Sequence, residues 1–124
     1  MNIDELTLKQ IKEIQSLNFN NQSSTLNTQL GEKVIIRTYS AGVWFGKLIE
    51  KSGNEVILQD ARRMWLWKAA ESISLSGCAI YGINQKESKI VEPVEKAWLE
   101  AIEIISCSSK SIQSIQEAPH AKAQ

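Results

Sequence analysis

The chain has 124 residues, 43% hydrophobic and 23% charged, the size and balance of one globular domain with a modest core. Its 14 Lys and Arg against 14 Asp and Glu give a formal net charge of zero. That disfavours a broad grip on polymeric nucleic acid, leaves room for a local anion pocket, and leaves little charge repulsion between copies. No apolar run approaches the roughly 18 residues of a membrane helix, and the acidic, amphipathic start MNIDELTLKQ is unlike a signal peptide.

The first element predicted is an amphipathic helix over residues 4–17, with apolar positions Leu8, Ile11, Ile14 and Leu17 and a start at Asp4 or at a Thr7/Gln10 capping box. Residues 1–18 therefore form an N-terminal unit whose apolar stripe packs either on its own domain or on the same helix of another copy, the long linker favouring oligomerisation, and the polar stretch 19–32 is that linker. Residues 33–117 form the core. Its β-rich part reads as a meander: strands at 33–39 (KVIIRTY), 43–51 (VWFGKLIEK), 55–59 (EVILQ) and 62–68 (RRMWLWK), with a break at Asp60-Ala61. Residues 69–83 read as a short central helix and 88–94 as a strand bent or kept to an edge by Pro93. Residues 96–106 (KAWLEAIEIIS) match both a helix and a strand. Residues 108–116 read as a C-terminal helix capped by serine, and 118–124 as a frayed tail. The fold class expected is α+β, an antiparallel β-meander core with an N-terminal, a central and a C-terminal helix.

Catalytic signatures are sparse. Cys78 and Cys107 show neither CxxC nor metal-ligand spacing and read as small side chains in a reducing cytosol. The one histidine, His120, falls in the tail, the acidic residues are scattered, and no glycine-rich phosphate loop occurs. No metal or cofactor is expected, and binding is expected instead of catalysis.

The informative cluster is aromatic and cationic. Trp44, Trp65 and Trp67 share the meander with Phe45, Arg62 and Arg63. Strict alternation would put Arg63, Trp65 and Trp67 on one strand face, with Arg62, Met64 and Leu66 on the other. Indoles stack on flat rings and guanidinium groups grip phosphate oxygens, so the cluster suits a nucleotide. The plainer reading is that the tryptophans are core or interface bulk with the arginines at the rim. A weaker candidate is Ser106-Cys107-Ser108-Ser109-Lys110, where a helix start would offer N–H groups, hydroxyls and an ammonium to an anion.

The segments GVWFGKL (42–48), ARRMWLWKAAESISLSG (61–77) and EIISCSSKSIQSI (103–115), in this order and spacing, resemble the phage Thoeris anti-defence sponges. The resemblance implies a protein that binds cyclic ADP-ribose isomers, such as the glycocyclic ADP-ribose made by TIR-domain enzymes, and sequesters them without degradation. Some members also bind cyclic di- or trinucleotides. It further implies a homodimer or higher homo-oligomer, a hexamer among the options, with its pocket between subunits, in the cytoplasm of an infected bacterium. On that expectation Arg62 and Arg63 contact pyrophosphate, and Phe45, Trp65 or Trp67 stacks on adenine. Ser106, Ser108 and Lys110 touch anion or ribose, with Arg37 a further candidate. The competing readings are a protein–protein inhibitor of a host defence protein and an enzyme that cleaves a cyclic nucleotide.

Overall fold

The computed structural model describes residues 28–122. The predicted N-terminal helix lies outside the described residues. Within them the order is β1 (Lys33–Thr38), β2 (Val43–Ser52), β3 (Glu55–Leu66), α1 (Leu75–Tyr81), a 3-10 turn (Gln85–Glu87), β4 (Lys89–Ile90), β5 (Val94–Ser106) and α2 (Ser109–Gln116). The architecture is α+β: mostly antiparallel sheet with two short helices. No helix among the described residues is long and apolar enough to cross a membrane.

Strands β1, β2 and β3 follow one another as antiparallel neighbours, the meander expected from the short turns. What the local sequence does not announce is β5. It pairs with β1 along one edge and with β3 along the other, so β1, β2, β3 and β5 form a closed circuit. Residues 96–106 are thus strand throughout. Their helix-like spacing comes from a bulge. Arg37 faces Glu103 but Thr38 faces Ala101, leaving Ile102 unpaired opposite β1. Leu99 and Ala101 point inward before it and Ile104 packs inward after it.

A second correction concerns Asp60-Ala61. The chain does not break there, and β3 runs unbroken for 12 residues. Asp60 takes a left-handed conformation (φ 53°) and supplies the extra residue of a bulge, because Phe45 faces Arg62 whereas Lys47 faces Gln59. Asp is among the residues that tolerate this region, which is why a turn-like signal sits inside a strand. The central helix is shorter than the 69–83 expected, beginning at a Ser74 cap whose hydroxyl accepts from the Gly77 N–H. A Cβ at Gly77 would run into the Ser72 side chain. The strand expected at 88–94 shrinks to Lys89–Ile90. The C-terminal helix forms with Ser108 as its cap, accepting from the Ser111 N–H.

Two cores result. The barrel interior holds Val34, Ile36, Trp44, Leu48, Val56, Leu58, Ala61, Leu99 and Ala101. Gly46 sits on its wall, where a Cβ would meet the β3 backbone within 3.0–3.2 Å. The second core lies between the outer faces of β1–β3 and the two helices, and contains Ile35, Phe45, Met64, Cys78, Ile90 and Ile115. There α2 is pinned to α1 by Ser111 Oγ donating to the Cys78 carbonyl (2.6 Å) and Ser108 Oγ donating to that of Ile80 (2.7 Å).

The tail is not frayed over its described part. Ala118 is buried in the second core, His120 bridges to Ile90 in parallel, and the Ala121 N–H donates to the Ile90 carbonyl at 2.8 Å. The end of the linker is also held. Gln29 Nε2 donates to Ser106 Oγ at 2.8 Å, and the Gly31 N–H donates to the Leu48 carbonyl.

Candidate functional site

Arg62 organises this end of the molecule. Successive strand residues point to opposite sides, and the bulge at Asp60 turns Arg62 outward from the barrel into the second core, where it is 4% exposed. Its Nε donates to the Val91 carbonyl (2.8 Å). Nη1 donates to the carbonyls of Ile115 (2.9 Å) and Ala118 (2.9 Å) and more distantly to that of Gln116 (3.4 Å). Nη2 donates to the carbonyl of Ile90 (3.1 Å). These acceptors belong to the end of β4 and the residue after it, and to the end of α2 and the tail. One guanidinium therefore joins the end of β4 to the end of α2 and the tail. Burial lowers its pKa, and the charge of Glu92 opposes that shift. Among the described residues no carboxylate forms an ion pair with it.

The segments that Arg62 fixes wall a groove of about 810 Å³, lined by Trp65, Lys89, Val91, Glu92, His120 and Lys122. Trp65 is 71% exposed. Its projection has a cause in register: Met64 faces Ile90 and Leu66 faces Lys89, so Trp65 is the extra residue of a bulge with no partner across the ladder. An indole free on one side, with two lysines and a histidine on the walls, offers a stacking surface and cationic donors together. A smaller cavity of about 200 Å³ shares His120 with the groove and is lined also by Lys33, Phe45, Asp60, Arg62, Pro93 and Gln116.

The other candidates are dispersed. Arg63, next in sequence to Arg62, points the other way: its guanidinium lies over the Trp44 ring at 4.4 Å and donates to the Ala41 carbonyl at 3.0 Å, closing over the barrel core. Trp67 does not share a face with Trp65, because β3 ends at Leu66 and Trp67 packs on the second core. Phe45 is 2% exposed in that core and reaches solvent space only at the smaller cavity. Arg37 pairs with Glu103 on the surface at 2.9 Å. Ser106 Oγ donates to Glu32 Oε1, Ser108 caps α2, and Lys110 pairs with Glu71 at 3.5 Å. Of the expected residues, the groove gathers Trp65 and the small cavity Phe45 and Arg62. Lys33, Lys89, His120 and Lys122 carry no pattern that marks them in the sequence: strand pairing places Lys33 and Lys89, and the bridge to Ile90 and the Arg62 bond to the Ala118 carbonyl place the tail. Burial pushes both the Cys78 and Cys107 thiols up to about 11, so neither is a thiolate near neutral pH.

Fold and site together define a class: a small closed β-barrel with a two-helix layer and a cationic, tryptophan-bearing groove beside the C-terminal segment. Residues 31–115 match the family model of the domain of unknown function DUF6948, and the chain belongs to that family. The match spans Trp65, Lys89 and Glu92 and stops short of His120 and Lys122. No curated protein matches the chain.

Proposed function

We propose that this protein acts by binding a small, flat-ringed anionic ligand of the nucleotide class. The observation that carries the reading is the exposed Trp65 set over a groove whose walls present Lys89, His120 and Lys122. The ring of the ligand stacks on the indole and the lysines face its phosphates. The resemblance of segments 42–48, 61–77 and 103–115 to Thoeris anti-defence sponges makes a cyclic ADP-ribose isomer the first ligand to test. It also makes sequestration without degradation, by a homo-oligomer in the cytoplasm of an infected bacterium, the specific form of the proposal. A sponge works by mass action: at fixed excess of free protein, each ~1.4 kcal/mol of affinity lowers the free signal about tenfold.

Purified protein is incubated with the cyclic ADP-ribose isomers, freed of unbound ligand, heated, and the released material separated by chromatography. Unchanged nucleotide is expected from the wild type and not from Trp65→Ala. A cleaved product would replace the sponge with an enzyme. Absence of any retained nucleotide would bring forward the reading as a protein–protein inhibitor. That second reading is favoured by the outer face of β5, where Trp98 is 72% and Ile102 49% exposed, because exposed aromatic residues are the usual anchors of protein interfaces.

A further inference from the structure

We infer that the cavity of about 200 Å³ beside His120 is a sugar-phosphate subsite, in which Lys33, His120 and the unused Nη2 hydrogen of Arg62 hold a phosphoryl group while Asp60 accepts from neighbouring hydroxyls. The inference rests on the nucleotide-binding reading and adds to it the place where the non-aromatic half of the ligand lies.

The first support is donor arithmetic. A guanidinium carries five N–H hydrogens. Nε uses its one on Val91, and Nη1 shares its two among Ile115, Ala118 and the more distant Gln116. Nη2 has two hydrogens and one acceptor among the described residues, the Ile90 carbonyl. A charged donor that is 4% exposed, lines a cavity and lacks one acceptor is costly to leave alone and favours an incoming oxygen.

The second support is charge. Arg62 has no ion-pair partner among the described residues, and its bonds go to neutral carbonyls. Lys33 brings a second cation to the same cavity, with one of its three hydrogens on Gln116 Oε1 at 2.7 Å and the others uncommitted among the described residues. Asp60 is the acidic lining residue. Its exposed carboxylate opposes a bare anion and accepts from hydroxyls, so the pair of signs suits a phosphate attached to a sugar better than a free one.

The third support is continuity. His120 lines both this cavity and the groove under Trp65. A ligand with its ring on the indole has its sugar-phosphate portion within reach of the smaller cavity beside the imidazole.

The test uses ribose 5-phosphate as the probe, titrated into the full chain and followed by NMR through the Arg62 side-chain N–H signals and the His120 ring. Both are expected to shift, and Lys33→Gln is expected to weaken the response roughly tenfold. Lys33 is half-buried at the start of β1, so this variant keeps Arg62 and the core in place. His120→Gln, which keeps an N–H donor, is expected to weaken it less. Shifts confined to Lys89 and Lys122, no shifts, or an unchanged response in Lys33→Gln would overturn the subsite. The two readings fail separately. Nucleotide retention that depends on Trp65 and not on Lys33 removes the subsite and leaves the binder. A Lys33-dependent response to ribose 5-phosphate, with no nucleotide retained, does the reverse.

Discussion

The barrel interior and the layer between barrel and helices are both buried, but they are built from different materials. The interior cluster is built of apolar side chains, from Val34 to Ala101, with the Arg63 guanidinium set over Trp44, and it is closed by paired strands. The outer layer mixes Ile35, Phe45, Met64 and Ile115 with a buried guanidinium, the Ser111 hydroxyl and two thiols. The interior is specified by volume and the outer layer by hydrogen bonds. Directional bonds cost more to leave unmade and fix neighbouring atoms more tightly, so the layer that carries them is the one beside the groove.

Breaking the outer layer has the largest expected effect. Arg62→Met removes the donor for the carbonyls of Ile90, Val91, Ile115 and Ala118, and we expect a loss of about 4 kcal/mol, read by urea unfolding. A loss below about 1 kcal/mol would mean that those carbonyls are met by water and that the guanidinium is no clasp. In the barrel interior, Leu58→Ala should cost about 3 kcal/mol by the same assay, because Leu58 is fully buried and the cavity cannot collapse within a closed wall. Nucleotide retention by the folded fraction should survive this change. If it does not, the separation between the two cores is lost.

A smaller effect comes from the thiols of the outer layer. Their folded pKa values of about 11 lie above the ordinary value of 9.0, so the folded state holds these protons more tightly than the unfolded chain. Stability from this source is complete below pH 9 and is lost as pH rises toward 11, with a slope of at most ~1.4 kcal/mol per pH unit per thiol. Denaturation across pH 8–11 should show the decline, shallower in Cys78→Ala. An identical slope in that variant would assign the alkaline loss to other groups. The smallest effect belongs to the surface. Arg37→Ala breaks a solvent-exposed pair with Glu103 and should shift stability by less than about 0.5 kcal/mol. It should leave nucleotide retention unchanged, and a large loss of retention would relocate the binding surface to β1.

The contrast between the cores also explains what could be read from the sequence. β1, β2 and the Ser108-capped helix α2 were legible because local patterns decide them: a run of β-branched residues, glycine turns, a serine before an amphipathic run. The course of β5 was not, because its two partners lie far away in the chain and the bulge at Ile102 breaks the alternation that marks a strand. Asp60 misled for a related reason, since a residue that favours turns here shifts the register of a continuous strand. The site was visible in part. Trp65 and the arginines stand out by type, but that bulge decides which of Arg62 and Arg63 faces the second core. The tail that brings in His120 is held through backbone carbonyls, which every residue has.

The closed circuit of strands bears on how the molecule behaves in a crowd. A chain of zero net charge has little electrostatic repulsion to keep copies apart. The usual hazard for such a protein is the open strand edge, whose unpaired N–H and C=O groups recruit another chain. Here β1 over Val34–Arg37 and β3 over Glu55–Gln59 are flanked on both sides, whereas β5 pairs with β3 over Val94–Glu100 and with β1 over Ala101–Ser106, one partner at a time. Among the described residues the edges left open are those of half-strands, on β5 and at the end of β2, and not of a whole strand. Where the strands are flanked on both sides, association of these domains must proceed through side-chain surfaces, which single residues can tune, and backbone pairing is confined to the half-strand edges.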